Sequence, residues 1–95
     1  MHINEFQKMM WQLYFERDSE RGIEGTVDWL KDEVEELREA LKEGNVEAAK
    51  KEFADVFAWL ASLANIVDIN LEKATISKYN NKCPKCKLSP CDCQF

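Results

Sequence analysis

The chain has 95 residues, of which 45% are hydrophobic and 33% charged, a composition typical of one small globular domain and not of a disordered chain. Thirteen Lys and Arg residues against eighteen Asp and Glu residues give a net charge of -5, which argues against extended nucleic-acid binding. The sequence shows neither a signal-peptide pattern nor an apolar run long enough to span a membrane. We therefore expect a cytoplasmic protein with no membrane partner.

The spacing of apolar residues predicts an all-α fold, because Val, Ile and Thr do not form the alternating runs of strands. A first helix should run from Ile3 to about Asp18, and a turn with two glycines should follow at residues 21–25. Thr26 should then cap a second helix that Gly44 ends. The pattern predicts two further helices, at about residues 46–67 and 71–78, and Asn70 should cap the last one.

Few helices are available to cover one another in so short a chain. The apolar residues of the first helix have few partners within a single chain, so we expect other copies of the chain to complete the helical bundle. A homodimer or homotetramer is the predicted assembly. The predicted division is a helical domain at residues 1–80 and a cysteine-rich tail at residues 81–95.

Two carboxylate pairs lie at a spacing of three residues on neighbouring predicted helices: Glu33 with Glu36, and Glu52 with Asp55. Side chains at this spacing share one helix face, so packing the two helices could bring four carboxylates together. Such a cluster needs a cation, and oxygen ligands favour Mg²⁺, Mn²⁺ or Ca²⁺. The alternative is a solvated helix face whose glutamates pair with Lys and Arg, and periodicity alone does not decide between them.

Three stretches carry a resemblance to the MazG-type nucleotide pyrophosphohydrolases, namely WLKDEVEEL at residues 29–37, EFADV at 52–56 and DINLEKA at 68–74. That family's pattern is E-E-x-x-E followed by E-x-x-D on the next helix, and the resemblance covers about residues 15–82. It implies a MazG-type helical bundle and Mg²⁺-dependent conversion of an NTP or dNTP to the monophosphate and pyrophosphate, with Mn²⁺ as a substitute. Nucleotide-pool house-cleaning is the role that it suggests.

The same resemblance assigns Glu33, Glu36, Glu52 and Asp55 as Mg²⁺ ligands. Asp32 stands where the motif has its first glutamate, and this departure leaves the geometry around the ligands open. In the family mechanism water attacks the α-phosphorus, and either Glu33 or Glu36 would be the catalytic base. The resemblance also places Lys78 and Asn81 near a phosphate-contacting lysine and asparagine.

Trp59, one turn after Asp55, could stack on a nucleobase, although core or interface packing is the alternative for it and for the other tryptophans. Arg17 and Arg21 flank the predicted turn and could contact the triphosphate, with surface solvation as the alternative.

The four cysteines of the chain all lie in its last thirteen residues, at Cys83, Cys86, Cys91 and Cys93. Four thiolates are the number that a closed Zn²⁺ site requires, and the leading C-x-x-C suits zinc, whereas the C-x-C half is atypical. Zinc, disulfides and free thiols therefore all stay open. Two rival functions also stay open: a non-catalytic helical interaction module with a zinc-binding tail, and a Mg²⁺-dependent phosphohydrolase that releases inorganic phosphate.

Overall fold

The computed structural model describes residues 1–94, so Phe95, the last residue of the predicted tail, lies outside the described residues. It contains three helices and no strand within that range: α1 (Ile3–Glu43), α2 (Val46–Ile66) and α3 (Leu71–Lys78). The all-α prediction is therefore confirmed. No single helix among the described residues is long and apolar enough to cross a membrane, and α2 with α3, bent by 98° at their break, passes that test only as a pair.

The long helix α1 bends at Gly22, which divides it into a first arm (residues 3–21) and a second arm (residues 23–43). Gly22 has φ 80° and ψ 178°, a backbone conformation that is essentially restricted to glycine. The break lies within the predicted turn of residues 21–25 but is shorter than predicted, because Gly22 alone redirects the chain and the helix resumes immediately after it. Thr26 is accordingly a fully buried residue inside the helix and not its cap.

Gly44 and Asn70 cap their helices as predicted, and Asn45, which was not predicted as a cap, acts in the same way at the start of α2. Gly44 adopts a left-handed conformation with φ 70° and donates its N–H to carbonyls of the last turn of α1. Asn45 accepts the N–H of Ala48 at 3.1 Å, and Asn70 accepts that of Lys73 at 2.9 Å. These side chains satisfy N–H groups that have no partner within their own helices.

A buried glutamine ties the start of α1 to the connection between α2 and α3. The Gln7 amide donates to the side chain of Asn65 at 3.0 Å and to the Ile69 carbonyl at 2.7 Å, and it accepts the N–H of Leu71 at 2.9 Å. Asn65 in turn donates to the backbone carbonyl of Gln7 at 3.1 Å. Because donors and acceptors are all paired, this network fixes one register between the helices.

The buried apolar core of one chain is small. Within residues 1–94 it consists of one methionine and four alanines, namely Met10, Ala40, Ala49, Ala61 and Ala64. Many large apolar side chains stay exposed, among them Trp11, Leu13, Leu41, Val46 and Phe53. The second arm of α1 lies against α2, and this packing brings three of the four predicted acidic residues together.

Candidate metal and nucleotide site

Three glutamates from two helices converge on one small volume. Glu33 and Glu36 come from the second arm of α1 and Glu52 from α2, and each offers a carboxylate oxygen within 4.8 Å of the others. The spacing of three residues places Glu33 and Glu36 on one face of α1, opposite Glu52. We call these three residues the acidic cluster, and they form a group that could hold a metal ion.

Neighbouring glutamates of the same stretch behave differently. Glu35 pairs with Arg38 at 3.3 Å and Glu39 with Lys42 at 4.0 Å, and all four side chains are well exposed. The interpretation as a solvated helix face therefore describes this outer side of α1. It does not describe Glu33, which faces α2.

Glu33 has an unusual protonation equilibrium. Burial raises its pKa from the ordinary 4.5 to about 7, helped by hydrogen bonds that its protonated form makes to Glu52 and Glu36 and by the charges of Glu36 and Asp55. The crowded carboxylates thus resist carrying full charge together in the absence of a cation. A bound cation would reverse this preference by favouring the ionised form.

Two oxygen atoms of the cluster support a cation directly. Oε2 of Glu33 and Oε2 of Glu52 are buried and have no hydrogen-bond partner. Leaving a carboxylate oxygen buried and unpaired lowers the stability of the fold, and coordination to a hard divalent ion would give such an oxygen a partner. The donor set, composed of carboxylate oxygens alone, fits Mg²⁺ or Mn²⁺ and does not fit a soft metal.

Asp55, the fourth predicted ligand, lies at the edge of the cluster. Its charge acts on Glu33, but its oxygens are outside the group of three that lie within 4.8 Å. Asp55 instead lines a cavity of about 320 Å³ between the first arm of α1 and α2. It therefore stands between the acidic cluster and this cavity.

The cavity beside Asp55 combines aromatic and cationic side chains. Its wall includes Arg17, Arg21 and Trp59, and its remaining lining residues are Met10, Tyr14, Asp18, Ala58 and Ser62. A volume of this size is at the lower end of the range for small-molecule sites. Arg17 and Trp59, both predicted as substrate-binding residues, thus lie at one cavity together with a predicted metal ligand.

Trp59 is held by two neighbours. Its ring stacks on that of Trp29 with centroids 5.4 Å apart and an interplanar angle of 4°, and the Arg21 guanidinium carbon lies 4.6 Å from its centroid. Stacking and cation–π contact both fix the orientation of the indole. Trp29 supports this wall by packing, which is the alternative that the sequence left open for the other tryptophans.

Asp18 is a residue of the site that the sequence did not single out. It is 1% exposed, and its Oδ1 accepts a hydrogen bond from Arg21 at 2.9 Å. The same Arg21 nitrogen donates to the Thr26 hydroxyl at 3.3 Å, so the pair bridges the bend at Gly22. The spacing of an aspartate three residues before an arginine was the available signal, but it resembles an ordinary exposed pair.

Lys78 and Asn81 do not join this site. The Lys78 ammonium lies 5.6 Å from the ring of Tyr79, and the Asn81 amide donates to Asn80 at 3.3 Å. Neither residue lines the cavity beside Asp55 or belongs to the acidic cluster. Their predicted contact with phosphate stays a prediction.

A second group of potential metal ligands lies in the tail. The Sγ atoms of Cys83, Cys86, Cys91 and Cys93 all lie within 4.8 Å of one another, and all four cysteines are free thiols. This cysteine cluster could hold a metal ion. Its sulfur donors differ completely from the oxygen donors between α1 and α2.

An all-helical fold with a carboxylate cluster between two helices defines a class of helical proteins that can bind hard divalent ions. The family model described as the MazG nucleotide pyrophosphohydrolase domain matches residues 21–87. The chain therefore belongs to this family, and the resemblance seen in the sequence is confirmed. A comparison with curated proteins finds no relative of similar sequence.

Proposed function

We propose that this protein is a Mg²⁺-dependent nucleoside triphosphate pyrophosphohydrolase, which converts an NTP or dNTP to the monophosphate and pyrophosphate. The observation that carries the proposal is the convergence of Glu33, Glu36 and Glu52, with two unpaired buried oxygens, beside a cavity lined by Arg17 and Trp59. Family membership supports the reaction class. House-cleaning of the cytoplasmic nucleotide pool is the corresponding role.

Each carboxylate has a place in this proposal. The acidic cluster would hold Mg²⁺, or Mn²⁺ in its place, and Asp55 would complete the ligand set from the edge of the cavity. When bound, the metal would supply Lewis-acid chemistry by drawing negative charge from the phosphate oxygens. Without such an ion the net charge of -5 would repel a triphosphate.

The reaction itself requires one proton acceptor. The oxygen of a water molecule bonds to the α-phosphorus, the bond from that phosphorus to the bridging oxygen breaks, and pyrophosphate leaves with the electron pair. Glu33 or Glu36 accepts the proton that the water loses. Arg17, exposed at the cavity, is suited to the phosphates, and the fixed ring of Trp59 is suited to the base.

Product analysis with and without Mg²⁺ tests the reaction on a panel of canonical and modified triphosphates. Wild type should release monophosphate and pyrophosphate, and Glu36→Gln and Asp55→Asn should each lose at least about 100-fold in kcat/KM, since each removes a charged ligand. Glu47→Gln is a matched control, because Glu47 is an exposed glutamate of α2 that pairs only with Lys50. Its activity should equal that of wild type.

Three outcomes would count against the proposal. Release of inorganic phosphate would indicate a phosphohydrolase of another specificity. Equal loss of activity in Glu47→Gln would show a general effect of charge. No turnover of any triphosphate with Mg²⁺ or Mn²⁺ would favour the non-catalytic interaction module.

We also propose that the protein acts as a homodimer or homotetramer. One methionine and four alanines are too small an apolar core for a chain of 95 residues, while large side chains along α1 and α2 stay exposed. Leu41, Val46 and Phe53 line one continuous apolar groove where α1 meets α2. A second copy is the occupant we propose, since a chain with so small a core needs a permanent partner and its own copies are always present.

A further inference from the structure

The cysteine tail follows α3 and is held together by its own atoms. Within it, Cys83 donates its N–H to the Leu88 carbonyl at 2.9 Å, and Lys87 donates its N–H to the Cys83 carbonyl at 2.8 Å. The hydrogen bonds of residues 82–94 in the structure are all to partners in that same segment. A segment this short has no apolar core, so another source of stability is required.

The distances between the sulfur atoms suit a single ion at their centre. Cys83 and Cys93 have Sγ atoms 3.6 Å apart, and Cys86 and Cys91 have Sγ atoms 3.9 Å apart. A disulfide requires about 2.05 Å. Four sulfurs placed tetrahedrally around Zn²⁺ at about 2.3 Å lie about 3.8 Å from one another. The observed pairs match the tetrahedron and not the disulfide.

Backbone groups around the sulfurs favour thiolates. Asp92 donates its N–H to Cys86 Sγ at 3.4 Å, and Cys93 donates its N–H to Cys91 Sγ at 3.3 Å. Four thiolates whose Sγ atoms lie within 4.8 Å of one another repel each other, so a full set of thiolates needs a cation.

We propose that Cys83, Cys86, Cys91 and Cys93 bind one Zn²⁺ in a closed tetrahedral site that folds residues 82–93. Thiolate donors select zinc over the hard ions suited to the acidic cluster, so the two sites do not compete for one metal. Four protein ligands leave no open position for water or substrate. The tail site is therefore structural, and it takes no part in the hydrolysis.

The metal content of the 95-residue chain tests this site. Wild type, purified without added metal and dialysed against a weak chelator, should retain about one Zn²⁺ per chain. Cys83→Ser and Cys91→Ser should each lower zinc affinity by more than about 100-fold, because each removes a direct ligand. Ser89→Ala, a change of a non-ligand residue inside the same loop, should retain zinc at the wild-type level.

Two further measurements use the wild-type protein and separate ligand loss from misfolding. Co²⁺ in place of Zn²⁺ should give the intense visible spectrum of a tetrahedral thiolate site, and all four thiols should become reactive only after a strong chelator is added. The far-UV circular dichroism of Cys83→Ser should keep the helical signal of wild type. The proposal would be overturned if disulfides form among these cysteines in protein purified under reducing conditions, or if the retained metal is iron. It would also be overturned if all four thiols react freely without chelator.

Discussion

Glu33 is the carboxyl of the acidic cluster whose properties depend most on its neighbours. Its Oε2 atom is buried without a partner, and its pKa of about 7 lies well above the ordinary 4.5. The metal-free fold therefore binds a proton here that the unfolded chain releases at lower pH. That difference in proton binding makes stability depend on pH.

The sign of this dependence gives a prediction for Glu33→Gln. Because the pKa of Glu33 is raised in the folded protein, its stabilising effect is present below about pH 4.5 and is lost as pH rises towards about 7. Metal-free wild type should thus lose stability between about pH 4.5 and about pH 7, and the stability of Glu33→Gln should fall less steeply with pH. Thermal unfolding in the presence of a chelator, repeated at several pH values, measures this change of stability with pH.

Glu35→Gln is the control for that slope. Glu35 is an exposed glutamate of the same helix, paired with Arg38, so its replacement should not change the pH dependence of stability seen in wild type. Mg²⁺ should bind wild type more tightly as pH rises towards about 7, since the ion requires the carboxylate form. Identical slopes in all three proteins would contradict the assignment to Glu33.

Arg21 gives a second prediction at the residue scale. Its side chain is 23% exposed and that of Asp18 only 2%, and Oδ2 of Asp18 is buried without any partner. Arg21→Met would leave a buried carboxylate with no counter-charge, which costs about 3 kcal/mol of unfolding free energy. Denaturant unfolding measures the loss, and adding Asp18→Asn should recover part of it.

Arg38→Met is the matched control, because Arg38 makes an ion pair of the same spacing, with Glu35, on the exposed side of the same helix. An exposed pair contributes about 0 to 1 kcal/mol, so this variant should be close to wild type. If both arginine variants lost the same free energy of unfolding, the burial of Asp18 would not explain the contribution of its ion pair.

At the scale of elements, the bend of α1 at Gly22 sets the geometry of the site. It lets the first arm form one wall of the cavity while the second arm presents Glu33 and Glu36 to α2. Arg21 spans the bend through its contacts with Asp18 and Thr26. One glycine and one partly buried arginine thus connect the cavity to the acidic cluster.

Gly22→Ala should therefore be more destabilising than Gly44→Ala. A Cβ at either position would meet no atom within 4 Å, so only backbone conformation matters. The φ 80°, ψ 178° conformation of Gly22 costs another residue about 1 to 3 kcal/mol, whereas the left-handed conformation of Gly44 costs about 1 kcal/mol. Thermal unfolding compares the two, and a neutral Gly22→Ala would contradict the strained bend.

The sequence predicted the helix ends better than the bend. Gly44 and Asn70 act through short-range hydrogen bonds that the local sequence specifies, and both positions agree with the structure. The two glycines at positions 22 and 25 predicted a turn of several residues. Only Gly22 leaves the helical conformation, and which glycine does so depends on the packing of Thr26 and Arg21, a tertiary effect.

In the candidate site, too, the sequence predicted local features but not those that depend on tertiary packing. The spacing of Glu33 and Glu36 placed both on one helix face, whereas their grouping with Glu52 was expected from the resemblance to the MazG-type family and not from periodicity. The buried Asp18 and the stacked Trp29 were not predicted, since their roles depend on which helix faces them. Periodicity identifies a face of a helix, but it does not identify the neighbour of that face.

At the scale of the whole molecule, stability and assembly should be inseparable. Leu41 is 54% and Phe53 56% exposed, and both line the apolar groove where α1 meets α2. Burying side chains of this size contributes about 1.5 to 3 kcal/mol each. A chain whose own core is one methionine and four alanines should therefore show a melting temperature that rises with protein concentration.

The double variant Leu41→Gln, Phe53→Gln tests this expectation by sedimentation equilibrium. Wild type should sediment as a dimer or tetramer, and in a symmetric interface each substitution acts in both copies, so dissociation should be at least about 100-fold more favourable in the variant. Ile76→Gln is the control, because Ile76 is 59% exposed but lies on α3, outside the groove. If wild type is a monomer with a melting temperature independent of concentration, the exposed side chains are not an interface, and the small core must suffice alone. If Ile76→Gln dissociates as readily as the double variant, the interface extends over α3 and is not confined to the groove.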